Sequence, residues 1–208
     1  LLMITAIELI IKRKKINKLF RIIIGRNLFE GNDLMFKKNI LDVSVYGEYG
    51  VGESTIWAYN NTKAKILAVD TSKEWIDHVK SKIDSSNRVS VKWVDLGELG
   101  KWGRPISYKK RKFIQSYLKS VWSNTEKPEL VLIDGRFRVA CFLFSLINGV
   151  PGTKIIFDDY TNRPYYHVVE EFVKPVDTYG RQALFIVPSS LNIEKIKKTA
   201  DNFIHVMD

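Results

Sequence analysis

The chain has 208 residues, enough for one domain that buries a full core without disulfides or metal staples. Its hydrophobic content of 45% and aromatic content of 12% suit a soluble globular protein, and one cysteine, Cys141, excludes an internal disulfide and fits a reducing cytoplasm. The net charge of +10 admits nucleic acid, an anionic membrane surface or an acidic small molecule as partner.

Residues 1–28 alternate apolar and basic blocks, with Lys12, Arg13, Lys14 and Lys15 between two apolar runs. The runs are too short to span a bilayer and no small-residue cleavage site follows them. This stretch reads as a basic amphipathic extension that packs on the domain, on a second subunit or on a membrane surface, and so makes the protein cytoplasmic or membrane-peripheral. The chain begins at Leu1 rather than Met, which leaves room for residues upstream. Residues 29–208 form the expected α/β domain. Asn32 or Asp33 can cap a short helix ending at Ile40. The alternating run from Val43 then leads into Gly47-Glu-Tyr-Gly-Val-Gly-Glu-Ser-Thr55, a strand that turns through glycines into a helix at about Ser54.

Lys65 to Asp70 reads as a second strand, and Thr71 or Ser72 caps a helix from Lys73 to Ile83. Val89 to Asp95 is a third strand. Leu96 to Tyr108 is a glycine-rich loop carrying Trp102, long enough in a compact domain to suggest function. A basic helix follows from Tyr108 to Trp122. Pro128 to Asp134 is apolar until its terminal acid, as a central parallel strand should be. A helix spans Arg136 to Asn148 and stops at Gly149, with Cys141 reading as a buried thiol rather than a nucleophile. Lys154 to Tyr160 is the fifth strand, Tyr165 to Val173 is helical, and Val176 to Tyr179 with Ala183 to Val187 form a closing antiparallel pair. Leu191 to Phe203 is the last amphipathic helix. Alternating strands and helices imply an α/β fold with a mostly parallel, doubly wound sheet of seven strands.

In such folds the ligand lies over the first strand–helix turn, and a carboxylate about 20 residues on meets a ribose diol. Asp70 follows Gly50 at that spacing. The turn has the register Gly50-x-Gly52-x-x-Thr55, with Glu48 at the strand end, where a carboxylate would repel a pyrophosphate and attract a ligand carrying an ammonium and a sulfonium. The acids Asp70, Asp95, Asp134 and Asp158 also end expected strands, so with Glu48 they converge on one crevice. Arg136 and Arg138 start a helix beside it. They either grip an anionic acceptor or neutralise the surrounding acids. His167, shortly after the Asp158–Asp159 pair, is a candidate general base, against the plainer reading of a structural histidine. Trp102 and Tyr160 are candidate substrate contacts.

The pattern Glu48-x-Gly50-x-Gly52-x-Ser54 resembles the first motif of class I S-adenosylmethionine (SAM)-dependent methyltransferases, with Ser54 where many members have a third glycine. The resemblance implies a Rossmann-like fold with Glu48, Gly50, Gly52 and Ser54 around the methionine part of SAM. It also implies Asp70 on the ribose, Asp95 and Leu96 at the adenine, and Asp134 beside the cofactor. Asp134 with Asp158 and Asp159 resembles the metal site of Mg²⁺-dependent O-methyltransferases, and Phe157-Asp-Asp-Tyr160 is similar to the macrocin O-methyltransferase group. That likeness implies Mg²⁺ on three oxygen ligands, with Asp158 and Asp159 in the catalytic set. From Phe29 to Pro188 the ordered motifs Asp95-Leu-Gly, Trp102-Gly-Arg-Pro, Leu132-Ile-Asp-Gly-Arg-Phe-Arg, His167-Val-Val-Glu-Glu-Phe172 and Gly180-Arg181 look like small bacterial methyltransferase-like proteins of unknown function. The expected activity is O-methylation of a small anionic or sugar-like acceptor. The alternatives are a non-catalytic binding protein of the same fold, and a nucleic-acid-directed enzyme supported by charge.

Overall fold

A computed structural model describes residues 27–208 except residue 85, so almost all of the basic extension lies outside the described residues. Helix α1 (Leu34–Ile40) leads to β1 (Val45–Tyr49), α2 (Glu53–Asn61), β2 (Lys65–Asp70), α3 (Lys73–Lys82) and β3 (Val89–Trp93). After a long connection come α4 (Ile114–Ser120), β4 (Leu130–Ile133), α5 (Arg138–Asn148) and β5 (Lys154–Phe157). A 3₁₀ segment (Pro164–Glu171), β6 (Asp177–Tyr179), β7 (Gln182–Ile186) and α6 (Ile193–Phe203) complete the chain.

The seven strands lie in the order β3-β2-β1-β4-β5-β7-β6, parallel from β3 to β5, with β7 antiparallel to both β5 and β6. This is the doubly wound α/β sheet, with the closing pair that its sequence pattern predicts. The reason lies in the strands themselves. Leu130-Val-Leu-Ile133 is buried throughout, and alternate residues serve opposite faces. Val131 and Ile133 join the core under α4, α5 and α6, whereas Leu130 and Leu132 join the core under α1, α2 and α3. Cys141 is buried on α5 in the first of these cores.

Several elements are shorter than their sequence pattern predicts. The basic helix expected from Tyr108 is a 3₁₀ turn (Arg111–Phe113) followed by the short α4, and the long loop before it contains another such turn (Lys101–Gly103). Strand β5 stops at Phe157 because Asp159 takes a left-handed backbone, φ 57°, which no strand continues through. Asp33 stands at the start of α1, but its carboxylate accepts from the Leu28 and Phe29 amides at 3.0 Å rather than capping the helix. Among the described residues no helix is long and apolar enough to cross a membrane.

Candidate functional site

The chain leaves β1 toward β2 on one side and reaches β4 on the other, so β1 and β4 are neighbours with a crevice above their carboxyl ends. Two glycines make that crevice. Gly50 has φ 93°, and a Cβ on it would stand 2.6 Å from the Gly135 nitrogen; a Cβ on Gly135 would stand 2.3 Å from the Tyr117 hydroxyl. The two turns therefore touch backbone to backbone, and the space over them stays open as a cavity of about 520 Å³. That volume is in the range of small-molecule sites, about 300–1,000 Å³.

The cavity has two halves. Over β1 and β2 it is lined by Gly50, Gly52, Ser54, Asp70, Trp75 and Trp102. Over β4 and β5 it is lined by Asp134, Arg136, Arg138, Asp159, Arg163 and Arg181. Asp70 is held with one oxygen on the Val51 amide (2.8 Å) and the other on the Ser72 amide (2.7 Å). A carboxylate has about four acceptor sites, so two backbone donors orient it and leave capacity for a ligand hydroxyl. Burial raises its pKa, and the Ser72, Val51 and Thr71 amides oppose the rise.

In the second half Arg138, only 3% exposed, is the hub. It donates to the carbonyls of Gly135 (3.0 Å), Asp158 (2.7 Å) and Asp134 (3.1 Å) and to the Asp134 carboxylate (3.0 Å), and it lies 3.3 Å from Asp159. Arg163 reaches Asp159 at 2.7 Å, while Arg181 reaches Asp158 at 3.1 Å and Asp159 at 3.3 Å. Gln182 donates to the buried Asp158 at 2.9 Å. Burial pushes Asp134 up to about 7, with Arg138 opposing it and Asp158 and Asp159 reinforcing it. Arg138 thus neutralises the acids, with its donors committed to protein groups, and is not a free grip for an acceptor. Arg136 gives one guanidinium N–H to the Asp208 carbonyl and keeps its other donors at the cavity.

The three acids offer oxygens within 4.8 Å of one another, a set that could hold a metal ion. Their surroundings do not fit Mg²⁺. Three guanidinium groups, which stay protonated, already pair with the acids, and a dication placed among them would have to displace these cations and sit close to their positive charge.

The structure brings Gly50, Gly52, Ser54, Asp70, Trp102, Asp134, Arg136, Arg138 and Asp159 to the cavity. It places six other sequence candidates away from the lining. Glu48 is fully buried under the turn, where Ser54 and Thr55 (2.6 Å) donate to its two oxygens. Desolvation of a carboxylate costs several kcal/mol and a net hydrogen bond returns about 1–3, so burial wins and its pKa rises to about 8. Asp95 turns to Lys110 and the Gly97 amide, and the Lys110 ammonium lowers its pKa. Leu96 belongs to the core. Asp158 lies beneath the lining. Tyr160 gives its hydroxyl to Glu170 (2.8 Å), and the His167 ring lies 4.7 Å from that tyrosine with Nε2 3.2 Å from its carbonyl.

Sequence reasoning passed over Trp75 and Arg181 as cavity residues, and weighed Arg163 only as a partner that would neutralise the Asp158–Asp159 pair. Arg181 had a signal, its place beside Gly180 in an ordered motif, but only the antiparallel return of β7 onto β5 carries it to Asp158. A second feature had no signal. Glu30, Trp102, Phe137 and Asp159 adopt positive φ, and three of the four line the cavity. Such strained non-glycine backbone gathers at functional sites.

No family model matches the chain, and no curated protein matches it. Among solved structures it is similar to a methyltransferase-like protein from Silicibacter pomeroyi DSS-3, with 28% identity and a TM-score of 0.74 over 86% of this chain and 96% of that one. It also aligns with the N-methyltransferase NodS from Bradyrhizobium japonicum WM9, at 14% identity and a TM-score of 0.42 over 85% and 96% of the two chains. The fold is methyltransferase-like.

Proposed function

We propose that the protein is a SAM-dependent methyltransferase acting on an oxygen of a small acceptor that is anionic or sugar-like. The observation that carries this reading is Asp70, oriented by two amides on the wall of a cavity whose floor is the Gly50–Gly135 contact. The residues fit the methyl donor: Asp70 meets a diol, the glycine turn accepts close approach, and Trp75 and Trp102 offer aromatic faces. When bound, SAM supplies an electrophilic methyl on a sulfonium.

The chain's own groups do the rest. Asp134 and Asp159 face the cavity from the acceptor half, and Asp134, held by a single arginine, takes the proton that the acceptor oxygen loses. Arg163 and Arg181 are partly exposed there and favour an acceptor carrying negative charge or several oxygens. A second reading, ligand binding without transfer, is favoured by one observation: Asp134 is ion-paired with Arg138, and Asp159 with Arg138, Arg163 and Arg181, so both acids facing the cavity already have protein partners.

Calorimetric titration with SAM and with S-adenosylhomocysteine tests the assignment. Micromolar binding that Asp70→Ala weakens at least tenfold supports it. Failure of both ligands to bind the wild-type chain sinks it. An Asp134→Asn variant that binds SAM as tightly as wild type but releases no S-adenosylhomocysteine separates transfer from binding alone.

A further inference from the structure

No acidic residue lies between Glu98 and Glu126, a stretch that holds the run Lys109-Lys-Arg-Lys112 together with Lys101 and Arg104. Elsewhere several exposed lysines sit beside acids: Lys73 by Asp77, Lys174 by Glu170 and Lys195 by Glu171. Here Lys110 alone has an acid, Asp95, while Lys101, Arg104, Lys109 and Arg111 form no ion pair among the described residues. Exposed aromatic residues are interleaved with these charges along the sequence. Trp102 is 81% exposed, and Phe113 and Trp93 are about two-fifths exposed.

The rings are held in place. Trp93 Nε1 donates to the Thr71 carbonyl at 2.9 Å, and the Thr71 hydroxyl donates to the Gly103 carbonyl at 2.8 Å, so one threonine ties both tryptophan segments to the rim of the sheet. Lys92 on the edge strand β3 donates to the Ser116 hydroxyl of α4 at 3.3 Å, which joins the edge strand to the basic segment. Lys112 lies 5.1 Å from the Phe113 ring centroid.

We propose that this face binds single-stranded nucleic acid, with phosphates on the unmatched lysines and arginines and bases stacked on Trp102 and Trp93. Single strands are held by this combination, a positive track and aromatic faces that accept any base. A membrane surface asks for something else, an amphipathic helix lying with its apolar side in the bilayer. Here the rings project from a strand end and a 3₁₀ turn, with basic residues interleaved, and the exposed side of α4 shows Gln115 and Lys119. Trp102 also lines the cavity, so a bound strand passes its mouth. The inference concerns binding alone and stands whether or not methyl transfer occurs.

Fluorescence anisotropy of the full chain with a labelled oligothymidylate of about 20 nucleotides, titrated across salt concentrations, tests it. The triple variant Lys109→Ala, Arg111→Ala, Lys112→Ala should lower affinity more than tenfold at about 50 mM salt and flatten the log–log salt slope by about 2, since each lost single-strand phosphate contact removes about 0.7. Trp102→Ala should weaken oligothymidylate about tenfold while leaving polyphosphate, which has no bases, unchanged. All three charge substitutions are at solvent-facing sites, and an unchanged Tm confirms that the variant is folded. No binding to oligothymidylate at low salt overturns the proposal. So does a triple variant that binds as the wild type does, because the contact would then lie in the basic extension. Capture by phosphatidylserine vesicles that oligothymidylate cannot compete away also overturns it.

Discussion

Glu48 shows how one buried charge makes stability depend on pH. Its carboxyl titrates at about 8 in the folded protein, against an ordinary value of 4.5, because burial disfavours the anion more than the Ser54 and Thr55 hydroxyls favour it. Between those values the folded chain holds a proton that the unfolded chain has lost, so stability from this group is present below pH 4.5 and is lost as pH rises to about 8. The slope is about 1.4 kcal/mol per pH unit at most. Urea unfolding should therefore find Glu48→Gln close to wild type at the acid end of this range and more stable by a few kcal/mol at its alkaline end. An equal offset at both ends would show that the carboxyl is not the source. Arg138 makes a second residue-scale prediction. Replacing it with Met leaves Asp134, Asp158 and Asp159 facing one another without their central cation, which should cost about 3–5 kcal/mol in urea unfolding.

The strand–turn–helix unit at β1 and α2 is the element whose geometry the cavity depends on. Gly50→Ala must accommodate both a positive φ and a Cβ 2.6 Å from the Gly135 nitrogen. Each effect costs about 1–3 kcal/mol, so a loss on the order of 3 kcal/mol is expected, roughly 6–12 °C in Tm by calorimetry. Gly52 is a useful contrast: its φ of 179° is extended and nothing stands within 4 Å of an added Cβ, so Gly52→Ala should leave Tm within a degree or two of wild type and act on ligand binding instead. The two glycines look alike in the motif. Only one of them is required by the fold, and the second faces the cavity.

At the scale of the whole molecule, the acid–arginine network joins β4, β5 and β7 across the sheet, and it argues against a resident metal. A site built for Mg²⁺ would gain stability when the ion is supplied, because binding to the folded state alone raises Tm. The three guanidinium groups already pair with the three acids here, so millimolar Mg²⁺ should leave Tm and SAM affinity unchanged. A Mg²⁺-dependent rise in either, with Ca²⁺ or added chloride as the control, would restore the metal to the acid cluster.

The sequence by itself determined the alternation of strands and helices, the parallel core strands and the glycine turn with Asp70 beyond it, because each depends on local periodicity and spacing. It also placed acids near strand ends. Tertiary structure alone decided which of those acids share a cavity. Asp70, Asp134 and Asp159 do, whereas Glu48 is drawn under its own helix by two hydroxyls and Asp95 is drawn outward by Lys110. Arg181 reaches Asp158 and Asp159 from farther along the chain, through the antiparallel return of β7, whereas Arg163 reaches Asp159 from only four residues on, through the turn after β5. The physical reason is that a carboxylate's role is set by the cations and donors that reach it, and some of those partners, Lys110 and Arg181 among them, arrive by packing of separate segments that no local pattern encodes.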